Sequence, residues 1–444
     1  MADRDPGAGG DAAAVEHGGG NGERLLLARW LFPVGRPSIR DGAVAVRGGA
    51  IVAVGERADL LAAHPEAGRL DLGDAALLPG LVNCHTHLEL PGPPLEAPEG
   101  CFARWLVAVI ARRRGQPPTA ETAQAEASAR LLLACGTTAI GEVSSTGQSL
   151  TPLLQAGLRG ILYREVLGLA PGEAPARADA ARRDIGRMGQ AAQGTLLRIG
   201  LSPHSAYSLS EELLAACRIL GRETAAPSCI HVAESPEEAV LLSGGDGPIR
   251  DLLYPAVGQE APPRRRASSP VAYLETLGVL EGGLLLIHAV HVDGKDRRLL
   301  AAQGVGVAHC PRSNARLSGA VAPVPAYLRE GIPVGLGTDS LASVETLDLW
   351  DEMRAALAAH GGQLTAAQVL EMATLGGARV LGLAGEVGSL EAGKRADLTA
   401  VPAGGIVASD PEGSLIAGAS GAEVLLTMVE GRIRHRRVGS EPCG

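Results

Sequence analysis

The triplet His85-Thr86-His87 closes the apolar run Leu77-Leu78-Pro79-Gly80-Leu81-Val82-Asn83. In an extended strand, alternate side chains share a face. The two imidazoles then project together from one strand end and can hold one metal ion. Further along, His204, His231, Glu234, His288 and Asp339 each stand at the end of a short apolar run. His231 ends Ser228-Cys229-Ile230-His231 and offers a third nitrogen. Asp339, in Gly337-Thr338-Asp339-Ser340, offers a carboxylate oxygen. Three histidines and one aspartate, with water completing the set, suit a mononuclear site for Zn²⁺, with Fe²⁺ as the second choice. Such an ion lowers the pKa of its water towards about 7. Taken singly, His231 also reads as a hydrogen-bonded core histidine, and Asp339 as a helix cap.

Glu234 follows just beyond His231 and could carry a proton from water to a leaving group. It also reads as a helix N-terminal acid that complements the dipole. His288 ends Leu284-Leu285-Leu286-Ile287-His288 and is expected beside the water, steadying developing charge. His291 reads as a supporting or surface residue. His309, ahead of Cys310-Pro311-Arg312-Ser313-Asn314, reads as the kind of partner that metal ligands need. Cys84 and Cys310 each neighbour a histidine but face the other way, so both read as packing.

The elements that must position these residues are legible in outline. From Arg24 to Leu72, short alternating runs with Gly turns read as antiparallel strands. The texture returns in Gly388–Ala400 and Val424–Arg432, so both chain ends can build one small β domain. Between them, strands alternate with helices, with strand ends near Asn83, Glu142, Glu165, Ser202, His231, His288, His309 and Asp339. That pattern predicts an α/β fold: a (β/α)8 TIM barrel, with its chemistry on the C-terminal strand ends, and a small composite β-sandwich domain. The expected boundaries are a disordered tail over 1–22, the β domain over 23–74 and 385–437, and the barrel over 75–384. Residues 244–270 include Arg264-Arg265-Arg266 and break the rhythm, reading either as a lid or as a surface insertion.

Composition narrows the function. The 444 residues allow a large core, and the net charge of −9 argues against a nucleic-acid partner. No run of about 18 apolar residues suggests a membrane span. The start of the chain lacks the pattern of a secretory signal, and seven cysteines without a C-x-x-C pair read as reduced thiols. The expected setting is therefore cytoplasmic. Aromatic residues are only 2% of the chain, too few for an aromatic cage.

Taken together, Pro79–His87, His231-Val232-Ala233-Glu234, His288 and Gly337-Thr338-Asp339 resemble the amidohydrolase superfamily, in its cytosine/adenosine-deaminase-like (chlorohydrolase) branch. The likeness spans about residues 24–435. His85–Leu90, Ser202–Ser208, His231–Ser235, His309–Asn314 and Gly337–Ser343 are similar to aminodeoxyfutalosine deaminases. The cousins that deaminate methylthioadenosine and S-adenosylhomocysteine tend to differ at Glu89 and Ser340. The run Pro91-Gly92-Pro93-Pro94 departs from the family pattern. The resemblance implies hydrolytic deamination at C6 of an adenine ring. Activated water attacks C6, Glu234 protonates N1 and helps ammonia leave, and Asp339 and His288 orient and deprotonate the water. It also implies that His204 and Glu89 contact the nucleoside, and that Arg312 or Arg164 meets a substrate carboxylate. Either arginine also reads as an ordinary ion pair.

Two-metal relatives bridge their ions through a carboxylated lysine on the fourth barrel strand. Here the only lysines are Lys295 and Lys394, so a single ion is expected. The deaminases built on a His/Cys/Cys zinc site need a Pro-Cys-x-x-Cys word that this sequence lacks. The leading expectation is conversion of 6-amino-6-deoxyfutalosine to futalosine in menaquinone biosynthesis. The alternatives are an S-adenosylhomocysteine/methylthioadenosine or guanine deaminase, or a hydrolase of other C–N or C–Cl bonds. A barrel that has lost catalysis fits poorly, because every ligand and Glu234 are present. Dimers are common in this branch, and the sequence marks no interface.

Overall fold

In the computed structural model, residues 22–90, 92–96 and 100–437 are described. Most of the tail expected to be disordered lies outside them. The first part of the chain forms β1 (Arg24–Leu31), β2 (Ile39–Arg47), β3 (Ala50–Glu56), β4 (Gly68–Asp71) and β5 (Ala75–Pro79). The eight parallel barrel strands follow: β6 (Leu81–Thr86), β7 (Thr137–Ser144), β8 (Arg159–Val166), β9 (Leu197–Pro203), β10 (Cys229–Val232), β11 (Leu285–His288), β12 (Gly306–His309) and β13 (Val334–Leu336). The chain closes with β14 (Leu398–Pro402), β15 (Leu426–Val429) and β16 (Arg432–Arg436).

β6 to β9 pair in order as one parallel sheet and β10 to β13 as another. Bridges at Leu201–Ser228 and Ser205–His231 join β9 to β10, and a bridge at Thr86–Asp339 joins the end of β13 to β6. The ring is therefore complete, and the expected barrel is found. Its strands end within three residues of the positions read from the sequence. β6, β7 and β12 are buried throughout, as parallel strands covered on both faces must be. Inside the ring, Val82, Cys84, Val143, Tyr163, Cys229 and Ile287 pack as one cluster. Burial pushes the Cys84 thiol up, so it fills space and is not a nucleophile.

The outer strands form a single sheet in the order β16-β15-β14-β5-β1-β2-β3, with β4 also on β1. It is one connected sheet that branches at β1, not the two separate sheets of a simple sandwich. It draws on both chain ends, as the alternation predicted. Arg159, at the start of β8, fastens barrel to sheet: its buried guanidinium meets Asp397, Glu386 and Glu430.

Two excursions cover the barrel mouth. The helix Phe102–Arg114 follows β6, and the turns Ile249–Leu253 and Tyr254–Ala256 follow β10. Phe102, Trp105, Tyr207, Ile249, Leu253 and Tyr254 bury one another between them. Arg264 holds the second excursion down, donating to the carbonyls of Ala206 and Tyr207 and to the Tyr254 hydroxyl. The 244–270 segment is thus a fastened cover. Among the described residues no helix is long and apolar enough to cross a membrane.

Candidate metal centre and active site

The C-terminal ends of four barrel strands deliver the cluster. His85 lies in β6 and His87 just past it, on the same face by strand alternation. His231 comes from β10, His288 ends β11, and Asp339 follows β13. The close approach at Asp339 is built in: a Cβ on Gly337 would sit 2.9 Å from the His85 Cβ. The Asp339 amide donates to the His85 carbonyl at 3.0 Å. Asn83 completes the seam, its amide donating to Thr338 Oγ1 at 2.8 Å and its oxygen accepting from the Thr338 amide. Ala233, His288, Ala289 and Asp339 all have positive φ, a conformation that costs energy for a residue with a side chain. Such strain is concentrated where the strand ends turn their side chains into the mouth.

The donor set fits a divalent cation. One ligand atom from each of His85, His87 and His231 lies within 4.8 Å of the others, and the same holds for His85, His288 and Asp339. Both ring nitrogens of His85 are buried without a hydrogen-bond partner. The Nε2 atoms of His87 and His231 face each other at 3.3 Å. His231 Nδ1 donates to the His204 carbonyl at 3.0 Å, which leaves Nε2 with its lone pair turned to the cluster. Burial lowers the pKa of His85, His87 and His231, favouring the neutral, ligating form.

Asp339 Oδ2 accepts from Ser313 Oγ at 2.7 Å and Ser343 Oγ at 2.9 Å, and Oδ1 lies 3.5 Å from His85 Nε2. Burial alone would raise this carboxyl. The neighbouring imidazoles of His85, His288 and His87 outweigh it and hold the Asp339 carboxyl low. Glu234 is the opposite case: burial, then the charges of Asp339 and Glu238, hold its carboxyl well above the usual range. A protonated Glu234 is a proton donor, and its Oε1 is 3.5 Å from His288 Nε2. His288 Nδ1 donates to Asn314 Oδ1 at 2.9 Å.

Three of the residues expected at the substrate are engaged elsewhere. Glu89 is buried, and its carboxylate accepts from Ser144 Oγ, from the amide and hydroxyl of Thr146, and from the Ser149 amide. It braces the loop after β7. Arg164 Nε donates to Asp184 at 2.9 Å, on the helix outside the barrel, because alternation along β8 turns it away and its neighbour Glu165 inward. Arg312 Nε donates to Glu352 at 2.7 Å, and its other nitrogens bond Thr346 and Asp351. Neither arginine reaches the cluster. His204 does: its ring centroid is 4.8 Å from that of His231, and its Nδ1 sits on the hydroxyls of Ser205 and Ser208. His309 is buried and meets the Asn314 amide at 3.4 Å.

The sequence reading missed five residues at the site. Ser313 and Asn314 were visible in the word that carries His309, and they hold Asp339 and His288. Asn83 was visible beside the metal motif. Glu142 accepts from the Thr86 hydroxyl at 2.6 Å and the Leu88 amide at 3.1 Å, gripping the His85–Leu88 turn from both sides. Glu165 accepts from Ser145 Oγ and lies 3.9 Å from His204 Nε2. Burial would raise its carboxyl, but His204, His87 and the Ser145 hydroxyl reverse the shift and hold it low.

A ring of parallel strands carrying this cluster on one rim, with a sheet made from both chain ends, defines a barrel hydrolase. The model of the amidohydrolase family matches residues 76–434, and the chain belongs to that family. It is an enzyme that hydrolyses carbon–nitrogen bonds. A bacterial imidazolonepropionase-like composite domain matches residues 42–67, in the outer sheet.

Among similar proteins, a 5-methylthioadenosine/S-adenosylhomocysteine deaminase of Nitratidesulfovibrio vulgaris is 33% identical over 413 residues, covering 90% of this chain and 89% of the relative. An aminodeoxyfutalosine deaminase of Deinococcus radiodurans is 34% identical over 369 residues, covering 81% and 86%. An adenosine deaminase from Xanthomonas campestris, solved with bound zinc, superposes with a TM-score of 0.73 at 26% identity over 92% of each chain. The Helicobacter pylori aminofutalosine deaminase superposes at 0.81 with 21% identity over 93% of this chain and 99% of its own, a likeness of fold.

Proposed function

We propose that this enzyme removes the C6 amino group of an adenine-type nucleoside by hydrolysis, with one divalent ion, Zn²⁺ before Fe²⁺. One observation carries the reading. Glu234, whose burial favours the protonated form, Asp339, whose neighbours favour the ionised form, and His288 converge on the His85–His87–His231 cluster. His85, His87, His231 and Asp339 would hold the ion, which when bound acidifies a water. Asp339 and His288 orient that water and accept its proton. Glu234 gives a proton to ring N1, which makes C6 electrophilic, then takes up the proton left on the attacking oxygen and passes it to the departing amine. The fastened cover over the mouth excludes bulk water, so these charges act at low dielectric.

Among adenine nucleosides, 6-amino-6-deoxyfutalosine is the favoured substrate. The words around Glu89 and Ser340 favour it, and so does the relative in Deinococcus radiodurans. A second reading has its own support. The relative at 33% identity over 90% of this chain is a methylthioadenosine/S-adenosylhomocysteine deaminase, and the arginines expected to meet a futalosine carboxylate are engaged elsewhere. A cytoplasmic setting belongs to the same proposal, since the cysteines among the described residues are free.

The test is a panel assay on purified, metal-loaded protein. Adenosine, methylthioadenosine, S-adenosylhomocysteine, 6-amino-6-deoxyfutalosine and guanine are compared by kcat/KM, following the ultraviolet change on ammonia loss. Turnover confined to guanine, or to none of them, overturns the nucleoside reading.

A further inference from the structure

The reacting end of the pocket is accounted for by Glu234, His288 and Asp339. The opposite rim, at the ends of β8 and β9, holds a carboxylate with one oxygen unbonded. Glu165 is 5% exposed, and its Oε1 has no hydrogen-bond partner. Its other oxygen is taken by Ser145. A buried carboxylate oxygen left unpaired is costly, so the position calls for a donor from outside the protein. His204 Nε2 stops 3.9 Å from Oε1, beyond hydrogen-bond range. That His204 ring in turn lies against His231, so the unfilled oxygen borders the metal cluster.

The kind of donor follows from chemistry. Apart from the amino group that leaves, the adenine ring of a nucleoside presents lone pairs at its ring nitrogens, and a carboxylate repels them. The sugar presents hydroxyls, which donate. Glu89 cannot serve, because both of its oxygens are already occupied by Ser144, Thr146 and Ser149.

We propose that Glu165 accepts hydrogen bonds from the sugar hydroxyls of the substrate, with His204 beside it, so that the ends of β8 and β9 form a ribose subsite. The proposal rests on the nucleoside reading above. It makes Glu165 a specificity residue that separates ribosides from free bases and deoxyribosides. Vicinal hydroxyls suit the pair, since one can donate to Oε1 while its neighbour meets His204 Nε2.

The test crosses two enzymes with two kinds of substrate. Wild type and Glu165→Gln are assayed on the best nucleoside of the panel and on its 2′-deoxy and 3′-deoxy forms. Wild type should lose roughly ten- to a hundredfold in kcat/KM when a contacted hydroxyl is removed. Glu165→Gln should lose a similar factor on the riboside, and should change within about twofold on the deoxy form that lacks that hydroxyl. A uniform loss on every substrate means that Glu165 acts only through His204 and overturns the proposal, as does no loss at all. Metal content and melting temperature establish that the variant is folded. Should it not fold, Glu165→Asp, which withdraws the carboxylate by one methylene, takes its place under the same criteria. A wild type that deaminates no nucleoside defeats the functional reading and this proposal with it. A wild type that deaminates nucleosides without regard to their hydroxyls defeats this proposal alone.

Discussion

The side-chain oxygen of Asn314 lies 2.9 Å from Nδ1 of His288, and this contact fixes where the imidazole carries its hydrogen. An amide oxygen only accepts, so Nδ1 bears the proton and Nε2 keeps its lone pair towards Glu234 and the cluster. The Asn314 amide nitrogen lies 3.4 Å from His309 Nδ1. Replacing Asn314 by Leu leaves His288 free to take the other tautomer. Turnover should fall by about ten- to a hundredfold with bound metal unchanged. Asn314→Asp restores the acceptor and should recover most of the rate. Equal loss in the Leu and Asp variants would remove the tautomer argument.

Burial, with the Asp339 charge beside it, raises the Glu234 carboxyl and favours its protonated form, so its role depends on being able to give a proton up. Glu234→Gln preserves shape and removes that ability. Turnover should drop by about 10²–10⁴-fold while metal content and melting temperature stay near wild type. A near-normal rate would exclude Glu234 as the proton carrier.

His231 is pinned through Nδ1 to the His204 carbonyl, leaving one nitrogen for a ligand role. His231→Ala should therefore lose metal and activity together. Asp339→Ala should weaken both, and should also free the Ser313 and Ser343 hydroxyls. Chelation of wild type should abolish activity, and added Zn²⁺ should restore it. Full turnover in protein shown by elemental analysis to be metal-free would refute the centre.

The barrel was legible because parallel strands buried on both faces must be continuous apolar runs, and each ended in a polar residue. His85 and His87 were legible through alternation together with the polar residues that end the later strands. Arg164 takes the ion-pair alternative that its sequence also offered: it lies one residue from the inward-facing Glu165, and a shift of one residue along a strand changes the face. Nothing in a linear sequence shows that Ser144, Thr146 and Ser149 return to hydrogen-bond the Glu89 carboxylate. The roles of Ser313 and Asn314 depend on a contact between β11, β13 and the helix Pro311–Leu317, which spacing cannot reveal. The branch of the outer sheet at β1 was hidden likewise, since pairing partners are long-range.

Glu238 supplies a prediction about stability. It is 1% exposed, and burial pushes its carboxyl from 4.5 up to about 8. Its Oε2 accepts from the Glu234 amide at 3.3 Å, a bond that the carboxyl can make whether or not it is ionised. Between those two pKa values the folded state holds a proton that the unfolded state has lost. Unfolding then takes place with fewer protons bound, so this group makes stability fall as pH rises through the window, by up to about 1.4 kcal/mol per pH unit. The loss is absent below the unfolded value and complete above the folded one. Glu238→Gln keeps an oxygen for the Glu234 amide and cannot ionise. Its advantage over wild type in urea unfolding should therefore be small near pH 5 and grow towards pH 8. Parallel stability curves for the two proteins across that range would mean that Glu238 is ionised in the folded enzyme.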